Sequence, residues 1–279
     1  MTRSAKAAAW ALVLLAAAAV LVPLLAPHDP LGIDYVLGAR LLPPGSRDAA
    51  GQFHLLGTDR FGRDLFVRMM LAGRLSLAIG VGGSVLAAAI GTVVGALAGW
   101  VGGAIDRVLM ALADALLSLP RLVLLLLVAA LWRPGAESVV VVLAATGWMG
   151  VARLVRAEVL GVRQLGFVQA ADVLGVPPWR VLFRHVVPNA IGPAIVATTL
   201  GVGNAIVLES GLAFLGLGVQ PPNPSWGNMI SGGRDLIVAA PWVAIMPGLA
   251  LIATVLASTV LGDALRDRLA AGRGVGLGG

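Results

Sequence analysis

Long apolar runs separated by short polar segments dominate the hydropathy pattern of this 279-residue chain. The first run lacks charged side chains over residues 7–25, and the second lacks them over the 31 residues from 75 to 105. A transmembrane helix requires about 20 predominantly apolar residues. The pattern therefore predicts an all-α, polytopic membrane bundle whose six transmembrane helices cover residues 7–25, 75–105, 108–132, 138–154, 190–215 and 240–261.

Two of these runs need interpretation beyond their length. Signal peptides have apolar cores of about 7–15 residues, so the first run favours a retained span over the alternative, a cleaved signal peptide. Asp114 and Arg121 interrupt the third run. We therefore expect its first part, up to Pro120, to lie partly at the cytoplasmic interface, and residues 122–132 to form the deep part of the span.

A row of small residues at intervals of four lies within the second span. Such spacing allows the backbones of two helices to approach closely in lipid. Because four residues exceed one helical turn of 3.6, the row winds around the helix, and we expect only three or four members to share one contact. The row consists of Gly83, Ala87, Gly91, Gly95, Gly99 and Gly103.

The polar segment at residues 26–74 carries six arginines against five aspartates, a near-neutral balance that is typical of translocated segments. Its apolar positions Phe61, Leu65 and Met69 fall on one face of a helix, with charged residues largely opposite. This pattern predicts an amphipathic helix in the membrane interface, with Thr58 as its N-cap. A solvated loop helix is the alternative.

Composition supports the membrane class. The chain is 58% hydrophobic and 12% charged, with a mean hydropathy of +0.93. Soluble domains average about 45–50% apolar residues and about 25% charged residues. The absence of cysteine excludes disulfides and thiolate catalysis. The three histidines are too widely spaced in the sequence to indicate a metal cluster, so we predict no cofactor.

The charge distribution predicts orientation. In a membrane chain, the net charge of +6 reports which loops are cytoplasmic and does not indicate nucleic-acid binding. The positive-inside rule places both termini in the cytoplasm, because the C-terminal segment "RDRLAAGR" at residues 266–273 is basic, and the tail at residues 269–279 is then cytoplasmic. The single lysine, Lys6, lies in no Gly-x-x-x-x-Gly-Lys-Ser/Thr loop. The chain is therefore not a P-loop ATPase by itself.

A polar, proline-containing segment at about residues 156–188 interrupts the apolar chain and is predicted to be the longest cytoplasmic loop. Its pattern predicts two short helices. Gly175 is a natural C-terminal stop for the first, since glycine enters the left-handed conformation freely. Pro177 and Pro178 suit the first turn of the second, where a missing N–H is tolerated. We expect that second helix to run until Pro188.

The first of these short helices has features of a docking element. Phe167, Ala171 and Leu174 recur at helical spacing and predict one apolar face. The adjacent small residues Ala170 and Ala171 allow a backbone to sit deep in the groove of a partner, and the flanking arginines could pair with acidic groups there. An ordinary amphipathic connector on the membrane surface is the alternative.

The same segment resembles the EAA loop of ABC importer permeases. Gln169-Ala170-Ala171 is followed after three residues by Gly175, and after nine more by His185-Val186-Val187-Pro188. Gln169 replaces the glutamate of the motif, which is expected to weaken one salt bridge to the ATPase. The blocks "HLLGTDRFGRD", "AGWVGGAIDRVLM", "RLVRAEVL", "GLAFLGLGVQPPNPSWGNMI" and "PWVAIMPGLAL" are similar, in this order, to the second (C-type) permease of the dipeptide, oligopeptide and nickel branch.

This resemblance implies a type I ABC importer permease fold, with a core at residues 75–268, in a prokaryotic inner membrane. It implies a second homologous permease in a heterodimer, ABC ATPase subunits that hydrolyse ATP, and an extracytoplasmic substrate-binding protein. The chain itself would be non-catalytic. The resemblance assigns ATPase coupling to Gln169, Ala170, Ala171, Gly175, Arg180, Arg184, His185 and Pro188.

Other charged residues leave alternatives open. Glu209 lies within a span, where a carboxylate is costly and usually faces the bundle interior or a cavity. It could line the translocation path, meet the partner permease, or be satisfied within its own bundle. In the outer segment, Asp59, Arg63 and Asp64 could contact the binding protein or pair among themselves.

Two rival functions belong to other classes. A stand-alone secondary transporter or channel would need intramembrane ionisable groups, and few are available beyond Glu209 and Asp114. An intramembrane enzyme is disfavoured because Gly-x-Ser-x-Gly and His-Glu-x-x-His are absent. The resemblance to the dipeptide, oligopeptide and nickel branch makes peptides the expected cargo, with nickel or other small solutes as alternatives.

Overall fold

The computed structural model describes residues 2–26, 31–32, 36–131 and 133–274 of the chain. The helices are, in chain order, α1 (Arg3–Leu25), α2 (Val36–Ala39), α3 (Leu65–Val101), α4 (Gly103–Leu117), α5 (Arg121–Ala129), α6 (Ala136–Arg163), α7 (Gly166–Val173), α8 (Pro178–Val181), α9 (Val187–Ala190), α10 (Gly192–Phe214), α11 (Trp226–Gly233) and α12 (Trp242–Gly274). A π-helical turn (Leu182–Val186) joins α8 to α9, and a 3₁₀ turn (Arg234–Leu236) follows α11. Strands β1 (Ser46–Arg47) and β2 (Phe53–His54) form an antiparallel hairpin.

The helices confirm the predicted all-α, multi-span architecture. Within the described residues, α1, α3, α6, α10 and α12 are each long and apolar enough to cross a membrane. The pair α4 and α5 forms a sixth span if it is counted as one, with a bend of 96° at Ser118–Pro120. The bend divides the third predicted span near the expected point, because Pro120 precedes α5 as its N-cap. The last residue of that predicted span, residue 132, lies outside the described residues.

The predicted interfacial helix in the outer segment is wrong. Residues 58–64 form a turn that includes Gly62 at φ +76°, and the helix that follows is already the start of α3. The N-cap is Asp64, whose Oδ1 accepts from Val67 N at 2.9 Å. Thr58 Oγ1 instead accepts from Leu42 N at 2.8 Å and donates to Ala39 O. Local capping and tertiary hydrogen bonds therefore outweigh the helical period.

The row of small residues in α3 is confirmed as a packing surface against α6. A Cβ added at Gly91 would lie 2.6 Å from Trp148 O and 2.6 Å from Val151 Cβ. The prediction that only three or four members share one contact is wrong, since five do. The contacted positions on α6 also step by four, so that both rows wind together. The row from Gly83 to Gly99 meets α6 at or near Leu143, Gly147, Val151, Val155 and Val159, whereas Gly103 meets nothing.

A second buried cluster surrounds Trp226 and packs against the first turns of α3. Trp226, at the start of α11, is fully buried. Its Nε1 donates to Met69 O at 3.0 Å, and its backbone N–H donates to Ser76 Oγ at 3.0 Å. Gly73 leaves room for the indole, because a Cβ there would lie 2.9 Å from the ring. These contacts attach α11 to the beginning of α3.

Candidate functional site

The chain between α6 and α10, residues 164–191, forms a folded element that we call the connecting segment. One side of it is buried against the ends of α3 and α6, in a cluster that includes Val155, Val159 and Trp100. The buried side chains of the segment are Val168, Val181, Leu182, Val186 and Ala190. This side of the connecting segment therefore belongs to the core of the bundle and packs on α6.

The two predicted helix boundaries inside the connecting segment are confirmed. Gly175 adopts φ +73° and ends α7. Its N–H donates to Asp172 O at 3.0 Å, and Val176 N donates to Ala171 O at 3.1 Å, a Schellman-type ending that satisfies the last carbonyls of the helix. Pro178 occupies the first turn of α8.

The predicted end of the second helix at Pro188 is wrong. The chain passes through a π-helical turn, in which Val187 N donates to Leu182 O, and continues as α9 to Ala190. Proline lacks an N–H, and its ring clashes with the carbonyl four residues earlier in an α-helix. The wider turn immediately before Pro188 relieves that clash, so the helical path continues without a break.

The apolar face predicted for α7 is also wrong in part. Of the three predicted residues, only Ala171 packs against the core, whereas Phe167 and Leu174 are exposed and Val168 is buried in their place. Contact with α6 determines which face of α7 is buried. Helical spacing alone does not distinguish the face that contains Val168 from the face that contains Phe167.

An exposed apolar surface on the connecting segment was not identified from the sequence. Val173 is 88% exposed, Leu174 81%, Phe183 68% and Trp179 61%. The guanidinium of Arg180 lies 5.3 Å from the centre of the Trp179 ring. The signal in the sequence was the unusual number of large apolar side chains in a loop that is otherwise polar.

The predicted coupling residues all lie on this segment, with different accessibility. Gln169 and Ala170 are exposed on α7, and the Gln169 amide donates to Gln164 O at 3.4 Å. His185 is partly buried, with its ring centre 6.5 Å from that of Phe167. Also exposed are Gly175, Arg180, Arg184 and Pro188.

Arginines of α6 attach this region to neighbouring helices. Arg163 Nη1 donates to Gly99 O at 3.1 Å and to Trp100 O at 2.9 Å, at the end of α3. Arg156 forms two hydrogen bonds with Asp106 of α4, at 2.5 and 2.6 Å. These charge-assisted bonds fix the end of α6 relative to both α3 and α4.

The predicted outer residues Asp59 and Arg63 pair with each other. Asp59 is 5% exposed, and its Oδ2 accepts from Arg63 Nε at 2.8 Å, while Oδ1 accepts from the Phe61 and Arg63 backbone N–H groups. The structure thus shows the second of the two alternatives for this pair. A role of this pair in contacting a binding protein stays a prediction.

A histidine links the hairpin to the beginning of α3. His54 Nδ1 lies 2.8 Å from Asp64 Oδ2, and Nε2 lies 3.7 Å from Asp48 Oδ2. Burial opposes the ionisation of Asp48, but hydrogen bonds from the Gln52 and Ala50 backbone, together with His54, lower its pKa. Asp64, the third predicted outer residue, therefore both caps α3 and holds the hairpin.

Glu209 is fully buried within its own bundle. Its Oε1 accepts from Ser225 Oγ at 2.8 Å, and Ser225 in turn caps α11 through Asn228 N at 3.1 Å. A Cβ at Gly227 would lie 3.1 Å from Oε2, so that the carboxylate lies directly beneath α11. The third alternative, a carboxylate satisfied within its own bundle, therefore holds for Oε1 only, because Oε2 is buried without a hydrogen-bond partner in the described part of the chain.

The bundle of membrane-crossing helices and the connecting segment on its surface define a polytopic membrane transport subunit. Residues 91–273 match the family described as "Binding-protein-dependent transport system inner membrane component". The chain belongs to this family, and it is therefore a multi-pass inner-membrane permease component.

Similar proteins cover most of the chain. It is 40% identical over 267 residues to a putative peptide permease protein of Brucella suis, covering 94% of this chain and 86% of that one. It is 41% identical to a glutathione transport system permease protein of Pectobacterium atrosepticum, covering 77% and 72%. It is 38% identical to an oligopeptide transport system permease protein of Haemophilus influenzae, covering 78% and 70%.

A solved structure shares the fold. A chain of the MetNI methionine ABC transporter in an inward-facing conformation matches with a TM-score of 0.60 and 19% identity, covering 74% of this chain and 96% of that one. The type I ABC importer permease fold predicted from the sequence is confirmed.

Proposed function

We propose that this chain is the C-type permease of an ATP-driven importer of peptides, and that it forms the translocation path with a second, related permease. Relatives that are 38–41% identical are named as peptide, oligopeptide and glutathione permeases. We assign hydrolysis of ATP to separate ABC ATPase subunits and delivery of cargo to an extracytoplasmic binding protein. The chain itself is a non-catalytic subunit.

The observation that carries this proposal is the exposed apolar surface of the connecting segment. Four large apolar side chains there are each more than 60% exposed, and Arg180 and Arg184 are exposed on the same segment. Apolar side chains gathered outside the spans, with charged neighbours, are typical of a protein–protein contact. A groove on an ATPase subunit, with acidic residues at its edge, is the partner that we propose.

The internal contacts support a mechanical role for that surface. The buried side of the connecting segment packs on α6, Arg163 bonds to the last carbonyls of α3, and the two rows of small residues pack α3 closely against α6. ATPase subunits that close on ATP would displace the connecting segment and move α6 and α3 together. We propose that this movement switches the path between its inward-facing and outward-facing states.

The remaining regions take their roles from the same arrangement. We propose cytoplasmic termini, with residues 1–25 as the N-terminus and first span and residues 269–279 as the tail. Residues 26–74 are proposed to lie outside the cytoplasm, where the turn that contains Asp59 and Arg63 would meet the binding protein. Residues 75–268 form the core permease unit, with its coupling loop at about residues 156–188.

Reconstitution tests the proposed function. Proteoliposomes that contain this chain, its partner permease and the ATPase subunits are expected to accumulate labelled trialanine only when ATP and the binding protein are both supplied. Nickel ion serves as the comparison cargo. Accumulation by this chain alone, driven by an ion gradient without ATP, would instead establish a secondary transporter and contradict the proposal.

A further inference from the structure

A cavity of about 300 Å³ lies among α3, α6, α10 and the beginning of α5. Its walls include residues near the midpoints of three spans, Ser84 of α3, Gly147 of α6 and Gly201 of α10. Small residues create the space, because they leave volume that larger side chains would fill. These small wall residues are Gly83, Ala87, Gly147, Gly150, Ala197, Gly201 and Ala205.

Three polar side chains line this cavity without a partner in the described part of the chain. Arg121, Ser84 and Asn204 have no side-chain hydrogen bond or ion pair there. Thr198, by contrast, already donates to Ala194 O at 2.7 Å. A cation and two neutral hydrogen-bonding groups therefore line one cavity, with Ser84 buried in its wall and Arg121 and Asn204 on its exposed side.

Two acidic groups of the spans are engaged elsewhere. Asp114 pairs with Arg153, and Glu209 bonds to Ser225 beneath α11. Arg121 is exposed in this chain at the first turn of α5, and one of its terminal nitrogens would be 3.6 Å from a Cβ added at Gly147, at the cavity wall. An ionisable residue in a membrane-crossing segment is costly and typically faces a water-filled cavity or marks a substrate pathway.

We propose that the cavity is a cargo subsite in which Arg121 binds the C-terminal carboxylate of a peptide. The planar guanidinium matches a carboxylate with two parallel hydrogen bonds. Ser84 and Asn204 bind the polar groups of the peptide backbone next to that carboxylate. This inference rests on the proposed peptide cargo. It adds that the permease itself recognises the free C-terminal carboxylate of the peptide.

The size of the cavity fits the end of a peptide. Residues of α3, α5, α6 and α10 line it, and Arg121 and Asn204 are exposed on its open side in this chain. The volume also falls at the lower end of the range for small-molecule pockets, about 300–1,000 Å³. A subsite of this size holds the end of a peptide.

A single cysteine provides a direct readout, because the chain has none of its own. Ala197→Cys places a thiol in the cavity wall, and its modification by a water-soluble methanethiosulfonate is followed by mass spectrometry in proteoliposomes of the assembled transporter. Trialanine is expected to slow modification at least fivefold, and its C-terminal amide is expected not to. With Arg121→Gln, protection should require roughly 10- to 100-fold more trialanine, as expected for loss of hydrogen bonds to a charged group.

Arg133→Gln is the matched control, since it removes the same charge from an exposed position in the turn before α6, and protection should be unchanged. Equal protection by trialanine and its amide, or no effect of Arg121→Gln while trialanine uptake continues, would overturn the subsite and leave the proposed function standing. Loss of the partner permease from purified Arg121→Gln complexes would also overturn it, by making Arg121 an interface residue. Absence of trialanine uptake by the wild-type assembly would reject the peptide function itself.

Discussion

Replacing Gly91 with alanine is expected to separate α3 from α6 and to lower the free energy of unfolding by about 1–3 kcal/mol, as overpacking does. The added Cβ would meet Trp148 O and Val151 Cβ at 2.6 Å and Ala152 N at 3.0 Å. Two of these three atoms belong to the α6 backbone, so rotation of a side chain cannot relieve the contact. The measurement is the apparent melting temperature of the purified chain in detergent.

Gly82→Ala is the matched control on the same helix. A Cβ at Gly82 would lie 3.8 Å from the nearest atom, in Val140, which is ordinary van der Waals contact. Both substitutions gain similar helix propensity, about 0.8–1 kcal/mol per glycine replaced, so their difference isolates the packing term. Equal melting temperatures for the two variants would contradict the close approach of α3 and α6.

Replacing Gly175 with valine is expected to uncouple transport from ATP hydrolysis without preventing membrane insertion. Gly175 adopts φ +73°, and a side chain in the left-handed region costs about 1–2 kcal/mol. A Cβ there meets nothing within 4 Å, so the free-energy cost comes from the backbone conformation and not from a steric clash. The strained residue lies at the junction between α7 and α8, and we expect the conformation of this junction to change. ATP-dependent uptake is expected to fall roughly 5- to 30-fold, the factor that corresponds to 1–2 kcal/mol.

Two variants separate this effect from a general loss of stability. Gly175→Asn should retain most uptake, because asparagine enters the left-handed region more readily than other side chains. Gly161→Val, at an exposed helical position of α6 with open space around it, should transport normally. Uptake by Gly175→Val at the wild-type rate, with equal amounts of protein in the membrane, would remove the connecting segment from the coupling path.

The sequence predicted the parts of the fold that depend on local chemistry. Apolar runs located the spans, intervals of four located the α3 surface that meets α6, and the left-handed preference of glycine located the end of α7. The sequence was misleading where tertiary contacts decide the outcome. Thr58 looks like a helix cap, but its hydroxyl bonds to the chain near Leu42, and Asp64 takes the capping role.

The candidate site shows the same division. The positions of Gln169 to Pro188 on one segment followed from the motif, but the face of α7 that packs inward did not, because Val168 and Phe167 are equally apolar. Arg121 appeared in the sequence only as an interruption of a span. Its place in a cavity depends on α3, α6 and α10 meeting at glycines that lie far apart along the chain.

The most direct test of the account is cross-linking from Ala170 to the ATPase. Ala170 is exposed on α7, and in a chain without cysteine the substitution Ala170→Cys provides one attachment point; Ala130→Cys, exposed at the end of α5, is its control. In membranes that contain the whole transporter, Ala170→Cys is expected to capture the ATPase subunit and Ala130→Cys is expected not to. Capture of the ATPase from neither position, or equally from both, would contradict the claim that force enters through the connecting segment.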